Sequence, residues 1–148
     1  MSNKTNIEQL LTIPINAFAY ELIREELLPD IIGKELDRIL YWAGKNLARK
    51  YTLETFEDII VFFQQAGWGD LSIIEQNRRE MQIQLTSPLI AERYKNKRHT
   101  TYQLEAGFLA QQVQQQRQVI AEAYENQKKR SEKVLFTVKW DSKDSIDT

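Results

Sequence analysis

The sequence contains no cysteine and only one histidine among its 148 residues. Without cysteine the chain can form no disulfide, no thiolate nucleophile and no thiolate zinc site. No stretch approaches the ~20 apolar residues that a membrane-spanning helix needs. The N-terminal residues also lack the uninterrupted apolar run of a signal peptide. We therefore expect a cytoplasmic protein without a membrane span.

Neither sign of charge dominates, because 20 basic residues face 21 acidic ones and leave a formal charge of -1. Such a balance gives no global field that would attract nucleic acid or anionic lipid. The most basic stretch surrounds the single histidine, His99, which we interpret as a solvated turn residue. It is too short for us to predict a nucleic-acid partner. Its residues are Arg93, Lys95, Lys97 and Arg98, with Tyr94 and Tyr102 as the nearby aromatics.

The composition that remains is that of a globular domain, with 42% hydrophobic and 28% charged residues. There is no internal repeat and no linker rich in proline or glycine. We predict a single domain over residues 1–148, ordered from about 6 to 141, with polar tails at both ends.

The first part of the chain has the apolar spacing of helices. Asn16 can cap a helix that runs to about Leu28, and Pro29 prevents that helix from continuing unbroken. A second helix is predicted from about Glu35, and Thr52 is the predicted N-cap of a third helix that ends before Gly67. The apolar stripe predicted for the second helix is Leu36, Leu40, Ala43, Leu47 and Tyr51.

The second part of the chain alternates strands with helices. "LSIIEQNRREMQIQL" predicts a hairpin, and Ser87 followed by Pro88 predicts the start of a short helix. "TYQLEAGFLAQQVQQQ" predicts a longer helix, whose glutamines have the look of a soluble helix end. A second hairpin follows, with Val134, Phe136, Val138 and Trp140 on one face. The order predicts an α+β fold in which a helical layer packs on an antiparallel sheet built from two hairpins.

Several stretches strongly resemble the uncharacterised Firmicute YslB-like family. They are "ELIREELLPDIIGKELDRILYWAGKNLARKY", "GWGDLS", "QLEAGFLAQQ" and "VLFTVKWD", and together they span nearly the whole chain. More distantly, the second half is similar to TRAPP vesicle-tethering subunits and to four-vinyl-reductase domains. The resemblance implies a TRAPP-subunit-like, ligand-binding type of fold that is commonly dimeric, with no enzymatic activity assigned to the family.

The departures from those relatives limit what the resemblance implies. Many vinyl-reductase-type domains carry cysteines on the last strand, but the position that matches one of them is Val134 here. Some TRAPP subunits hold an acyl chain through cysteine, and this chain has none. The resemblance therefore implies neither a metal nor a cofactor, and it leaves only a non-covalent apolar ligand.

One predicted helix has a glycine, Gly44, in its middle. A glycine costs about 1 kcal/mol relative to alanine inside a helix, so the position needs a reason. Ala48 lies one turn later, and the two small residues form a strip against which another helix or the sheet can pack closely. We predict close packing at Gly44.

Five residues are the candidate ligand-binding positions. Tyr41 and Trp42 can line a pocket or anchor a dimer surface, since aromatic residues are common at both. Lys45 and Arg49 are one turn apart and can hold a carboxylate or phosphate, although such pairs more often form a solvated helix face. Trp68, between two glycines, can stack on a ligand or simply cover the edge of the core.

The reactive side chains show no spacing that predicts catalysis. Glu105 and Glu122 could form a pair suited to proton transfer if both point inward, whereas a solvated or ion-paired Glu105 is the simpler interpretation. We predict a non-catalytic, homodimeric binding module that holds a small apolar ligand or a protein partner. The alternative is a pure interaction scaffold without an internal ligand, and an enzyme is the least favoured class.

Overall fold

A computed structural model describes residues 3–145 of the chain, with side chains from Ile7 to Asp141. The described chain divides into two compact units, Met1–Leu36 and Asp37–Thr148. The single domain and the polar tails expected from the sequence stay predictions. No helix among the described residues is both long enough and apolar enough to span a bilayer.

The N-terminal unit is helical. Its elements are α1 (Asn3–Leu10), α2 (Ala17–Glu21), a π-helical segment (Leu22–Leu27), α3 (Leu28–Ile32) and a short 3-10 turn (Gly33–Glu35). Asn16 caps α2 as predicted, since its side chain accepts a hydrogen bond from the Ala19 amide at 3.1 Å. α-Helical bonding is interrupted before Pro29, but the chain stays helical as far as Ile32. The wider π turn accommodates a residue that has no N–H to donate.

As far as residue 145, the second unit contains four α-helices, four strands and a short 3-10 turn (Lys129–Ser131). The helices are α4 (Leu36–Lys50, of which the first residue belongs to the N-terminal unit), α5 (Phe56–Gln65), α6 (Pro88–Lys95) and α7 (Gln103–Arg117). The strands are β1 (Asp70–Gln76), β2 (Glu80–Thr86), β3 (Val119–Lys128) and β4 (Lys133–Ser145).

The strands form one antiparallel sheet in the order β1-β2-β4-β3. The two hairpins meet where β2 pairs with β4, with Ile83 opposite Phe136. Alternate residues of both central strands are buried, which gives the sheet one apolar face. These buried residues are Met81, Ile83 and Leu85 on β2 and Val134, Phe136, Val138 and Trp140 on β4. The predicted α+β fold is confirmed.

Helix α7 lies at the centre of the second unit. Every residue from Glu105 to Val113 is buried, so the middle of this helix has no solvent face. A helix buried all round must either be apolar or satisfy its polar side chains internally. The interpretation of its glutamines as a soluble helix end is therefore wrong for Gln111 and Gln112, which are buried. The three glutamines at residues 114–116 are half-buried.

Two details of the helical layer differ from the sequence-based predictions. The N-cap of α5 is Thr55, not Thr52, and its hydroxyl accepts a hydrogen bond from the Asp58 amide at 3.1 Å. Thr52 instead donates to the Arg49 carbonyl at the end of α4. The buried side of α4 is Leu40, Gly44 and Ala48, whereas Ala43 is exposed. The small volumes of Gly44 and Ala48 explain why the buried face differs from the predicted stripe, because the face with the smallest residues allows a neighbouring element to approach most closely.

Candidate functional site

Helices α4 and α7 touch through their backbones at two glycines. A Cβ added to Gly44 would overlap the Leu104 carbonyl oxygen and lie 2.8 Å from the Phe108 amide nitrogen. A Cβ added to Gly107 would overlap the Tyr41 carbonyl oxygen. Each helix therefore places a glycine directly against the backbone of the other helix. The close packing predicted at Gly44 is confirmed, and its partner is a second helix.

The glutamines of α7 hold the C-terminal end of α4 and the segment that follows it. Gln112 is fully buried, and its side chain donates to the Tyr51 carbonyl at 2.7 Å and accepts from the Leu53 amide at 3.1 Å. Gln116 donates to the Leu53 carbonyl at 3.1 Å. The last carbonyls of a helix need such partners because they have none within the helix. The glutamine run is therefore a structural clamp.

A groove of about 620 Å³ lies between α4 and strand β3. Its helical side carries Asp37, Arg38, Tyr41, Trp42 and Lys45, and its strand side carries residues 120–124. Gln103 and Gln114 of α7 complete the lining. The groove is open, since Trp42 is 56% exposed and Ile120 is 54% exposed. We refer to it below as the α4–β3 groove.

Strand β3 is an edge strand, and side chains accept from two of its N–H groups where it borders the groove. The Ala123 amide donates to the Tyr41 hydroxyl oxygen at 3.1 Å, and the Ala121 amide donates to the Gln114 side-chain oxygen at 3.3 Å. An edge with satisfied donors does not template another strand. Side chains rather than main-chain pairing must therefore carry recognition in the α4–β3 groove.

Lys45 supplies a cation at the aromatic end of the groove. Its Nζ lies 5.7 Å from the ring centroid of Tyr41 and 5.7 Å from that of Trp42, within the range of cation–π attraction. Burial lowers the pKa of Lys45, nearby Arg49 lowers it further, and Glu122 opposes both effects. Burial also raises the pKa of Tyr41. This end of the groove combines two aromatic faces with one partly desolvated ammonium.

The strand side of the groove carries an acid–phenol pair. Tyr124 donates its hydroxyl to the Glu122 carboxylate at 2.6 Å. That hydrogen bond is the main reason why the pKa of Tyr124 is raised, and the negative charge of Glu122 adds to it. A second depression, of about 580 Å³, shares Ile120, Glu122 and Tyr124 and continues toward Lys139 and Asp141. The pair stands on the ridge between the two depressions.

The five candidate residues from the sequence do not share one place. Tyr41, Trp42 and Lys45 line the α4–β3 groove. Arg49 is outside its lining and makes a long hydrogen bond to Gln111, at 3.5 Å. Trp68 is 7% exposed and packs with Phe62, Phe63 and Phe108 at centroid distances of 4.9–5.7 Å. The groove residues of β3 and α7 were not predicted as binding positions, because nothing in the sequence pairs residues 37–45 with residues 103–124.

The other reactive side chains lie apart from one another. His99 is exposed in the loop after α6, as predicted. Glu105 is 1% exposed within α7, so the solvated alternative is wrong and the ion-paired alternative stays a prediction. Glu122 is exposed on β3. A pair of inward-pointing carboxylates is therefore wrong as well. Among the described residues, no group of three or more His, Asp or Glu side chains is placed to hold a metal ion.

The fold, with its helical layer on a four-stranded antiparallel sheet, is similar to that of a vinyl-4-reductase family protein. A crystal structure of a vinyl-4-reductase family protein from Methanocaldococcus jannaschii matches with a TM-score of 0.67 and 20% identity, over 90% of this chain and 88% of that one. A crystal structure of trafficking protein particle complex subunit 3 from Naegleria fowleri, covalently bound to palmitic acid, matches with a TM-score of 0.46. The identity to that subunit is 15%, over 94% of this chain and 97% of that one.

The sequence family is narrower than the fold. The model of the family described as "Protein of unknown function (DUF2507)" matches residues 17–139, so the chain belongs to this family. The chain is also 47% identical over 143 residues to "Uncharacterized protein YslB" of Bacillus subtilis (strain 168), covering 97% of each protein. The family resemblance read from the sequence is confirmed.

Proposed function

We propose that the protein is a non-catalytic, homodimeric binding module. In this proposal the N-terminal unit supplies the self-association surface, and the α4–β3 groove receives a segment of a protein partner. The observation that carries it is the exposure of large apolar side chains in residues 10–31. Nine are exposed by 44–74%: Leu10, Leu11, Ile13, Ile15, Phe18, Leu22, Ile23, Leu27 and Ile31.

The spacing of these side chains supports one continuous surface. Ile23, Leu27 and Ile31 follow one another at intervals of four, and Phe18 and Leu22 do the same within the helical stretch from Ala17 to Ile32. Residues at this spacing lie on one side of a helix. Exposed apolar patches of a few hundred Å² generally mark interaction sites.

The apolar area supports a dimer of ordinary size. If one fully buried side chain accounts for roughly 60–120 Å² of apolar surface, nine half-exposed ones supply on the order of 300–500 Å². A standard interface buries about 800 Å² per partner, of which about 60% is apolar. The exposed side chains of the N-terminal unit can therefore account for the apolar part of such an interface.

The choice of a protein partner over a small apolar ligand rests on the character of the groove. Its walls combine aromatic rings with the charged groups of Asp37, Arg38, Lys45 and Glu122, and it is open to solvent. Apolar small molecules favour enclosed sites with few polar groups. The four-ring cluster around Trp68 also fills interior space of the second unit. The dispersed positions of His99, Glu105 and Glu122 support a module without catalysis.

The oligomeric state in solution tests the proposal. Sedimentation of the full chain at micromolar concentration should give a dimer, and F18E/I23E should give a folded monomer, because two carboxylates cannot be desolvated in an apolar interface. A matched control, V61E/I74E, places the same charges on exposed apolar residues of the second unit and should remain dimeric. A monomeric parent protein would refute the proposed dimer.

Native mass spectrometry of protein taken directly from cells tests the choice of ligand class. We expect the mass of the protein alone, in keeping with a partner segment that associates at an open groove. A retained small-molecule mass would contradict this choice and favour an apolar ligand. The proposal assigns the module to the cytoplasm, supported by the cysteine-free sequence.

A further inference from the structure

Two basic segments that are about 30 residues apart in the sequence lie together at one end of the sheet. The first is the loop after α6, and the second is the turn between β3 and β4. We call the surface that they form the basic end. It consists of Lys95, Lys97 and Arg98 from the end of α6 and its loop, and of Lys128, Lys129, Arg130 and Lys133 from the turn and the strand ends that flank it.

Two hydrogen bonds hold these segments side by side. Tyr94, in the last turn of α6, donates its hydroxyl to the Lys133 carbonyl at 3.2 Å. Gln127, near the end of β3, donates its side-chain amide to the Thr100 carbonyl at 2.7 Å. Burial raises the pKa of Tyr94, so its hydroxyl stays protonated and able to donate at neutral pH. The juxtaposition is therefore built into the fold.

The basic end concentrates charge that the composition conceals. Residues 95–99 and 128–133 contain seven Lys or Arg residues and one acidic residue, Glu132, for a formal charge of +6. The whole chain has a charge of -1, so the remaining residues carry -7. All seven basic residues are exposed except Lys133, which is half-buried. Charge separation of this kind orients a protein toward an anionic partner.

The side chains at the basic end favour a lipid surface over nucleic acid. Binding of single strands uses exposed aromatic rings, but Tyr102 is buried and the hydroxyl of half-buried Tyr94 is engaged. Five of the seven cations are lysines, whereas arginine is the side chain suited to bidentate recognition of phosphates and bases. Lysine clusters bind anionic bilayers through electrostatic attraction that needs no bidentate hydrogen bonding.

The range of electrostatic attraction points the same way. Electrostatic attraction and repulsion fall off within about 8–10 Å at physiological salt. A bilayer that contains anionic lipid presents many headgroup charges within that distance of an exposed lysine cluster. We propose that the basic end docks the protein on membranes that contain anionic lipid.

Vesicle binding by the full chain tests this proposal. The protein should co-sediment with phosphatidylglycerol–phosphatidylcholine vesicles, and should do so far less with phosphatidylcholine vesicles or at raised salt. K129Q/R130Q should weaken binding about 20-fold, since each cation near the surface contributes roughly a factor of five. K95Q/K97Q should weaken it by a similar factor, because both segments belong to one surface.

The matched control is R78Q/R79Q, which removes two charges from the turn between β1 and β2. That turn lies at the opposite end of the sheet, because Glu80 pairs with Lys139 while Leu85 pairs with Val134. The control should bind like the parent protein. All substituted residues are exposed, in turns, in a loop or at the end of α6, and unchanged thermal unfolding would confirm that the variants fold.

Three results would overturn the proposal. The first is equal binding to neutral and anionic vesicles. The second is an equal loss in the R78Q/R79Q control, which would show that net charge alone matters. The third is binding of duplex DNA at the same salt that is stronger than vesicle binding and is lost in K129Q/R130Q, which would make the basic end a nucleic-acid interface.

Discussion

The two units of the chain differ in whether their apolar side chains are buried or exposed. Between Ile7 and Asp141, where side chains are described, all 23 buried hydrophobic residues lie at Leu40 or beyond. Nine of the 16 exposed large hydrophobic residues in that range lie in residues 10–31. Among the described side chains before Asp37, only Arg24 is buried, and it is bonded to Tyr20 at 2.8 Å. The second unit therefore has a core of its own, and the N-terminal unit presents its apolar residues outward.

The difference shows that helices with similar apolar patterns can have a buried apolar face in one unit and an exposed one in the other. Both units contain helices with apolar residues at intervals of three and four, which is the pattern of a helix that buries one face. In the second unit α7 and the sheet cover that face. In the N-terminal unit the face stays exposed in the single chain, which is why we propose a second copy of the protein as its cover.

The largest expected effect compares a buried ring with an exposed one. Trp68→Ala should lower the free energy of unfolding by about 3–5 kcal/mol, because it opens a cavity among Phe62, Phe63 and Phe108. Phe18→Ala, measured at a concentration where the chain is monomeric, should change it by less than about 0.5 kcal/mol. Denaturant unfolding measures both. Equal losses would show that Phe18 belongs to a core and would remove the contrast between the units.

The next effect examines how tightly the second unit is packed. Gly44→Leu should cost about 3 kcal/mol, at the upper end for overpacking, because the new side chain meets backbone atoms of α7 that cannot rotate away. Ala43→Leu, on the exposed side of the same helix, is the matched control and should be nearly neutral. Thermal denaturation of both variants measures the two effects. A G44L protein as stable as its parent would contradict the close crossing of α4 and α7.

A smaller effect tests the glutamine clamp. Gln112→Met keeps the volume but leaves the Tyr51 carbonyl and the Leu53 amide without their partner, at a cost of about 2 kcal/mol. Gln65→Met, on the exposed end of α5, changes the same atoms in solvent and should be neutral. Unfolding in urea compares the two. If Q112M proved as stable as Q65M, the clamp would contribute nothing to stability.

The smallest effect concerns the ridge beside the groove. Glu122→Gln removes the charged acceptor that keeps the Tyr124 proton in place, so the pKa of Tyr124 should fall toward its ordinary value. The ultraviolet absorbance of tyrosinate, followed through an alkaline titration, should show one tyrosine ionising at lower pH than in the parent. Glu80→Gln, in the adjoining depression, is the control. An unchanged titration would mean that the pair does not form in solution.

Much of the fold was predictable from local pattern. The alternation in "VLFTVKW" and "MQIQL" identifies strands because side chains of a strand point to opposite faces with a period of two. Asn16 and Ser87 were identifiable as caps because a short polar side chain satisfies amides at the start of a helix. Gly44 revealed close packing because a glycine inside a helix is otherwise unfavourable.

The candidate site was predictable only in part. Tyr41, Trp42 and Lys45 are neighbours in the sequence, so their proximity follows from one helix. Trp68 looked equally suited to a ligand, but whether a tryptophan lines a groove or fills a core depends on what packs against it. The glutamines of α7 look like surface residues until the end of α4 lies beside them. Hydrogen-bond partners that are about 60 residues away leave no local signal.

By itself the sequence determined the elements, the α+β class, the family and the glycine-relieved helix, because each depends on residues within a few turns of one another. Only the tertiary structure decided that Arg49 and Trp68 lie outside the groove, that the middle of α7 is buried all round, and that two basic segments form one surface. These results depend on contacts between distant segments, whose register and neighbours are set by packing of the whole second unit.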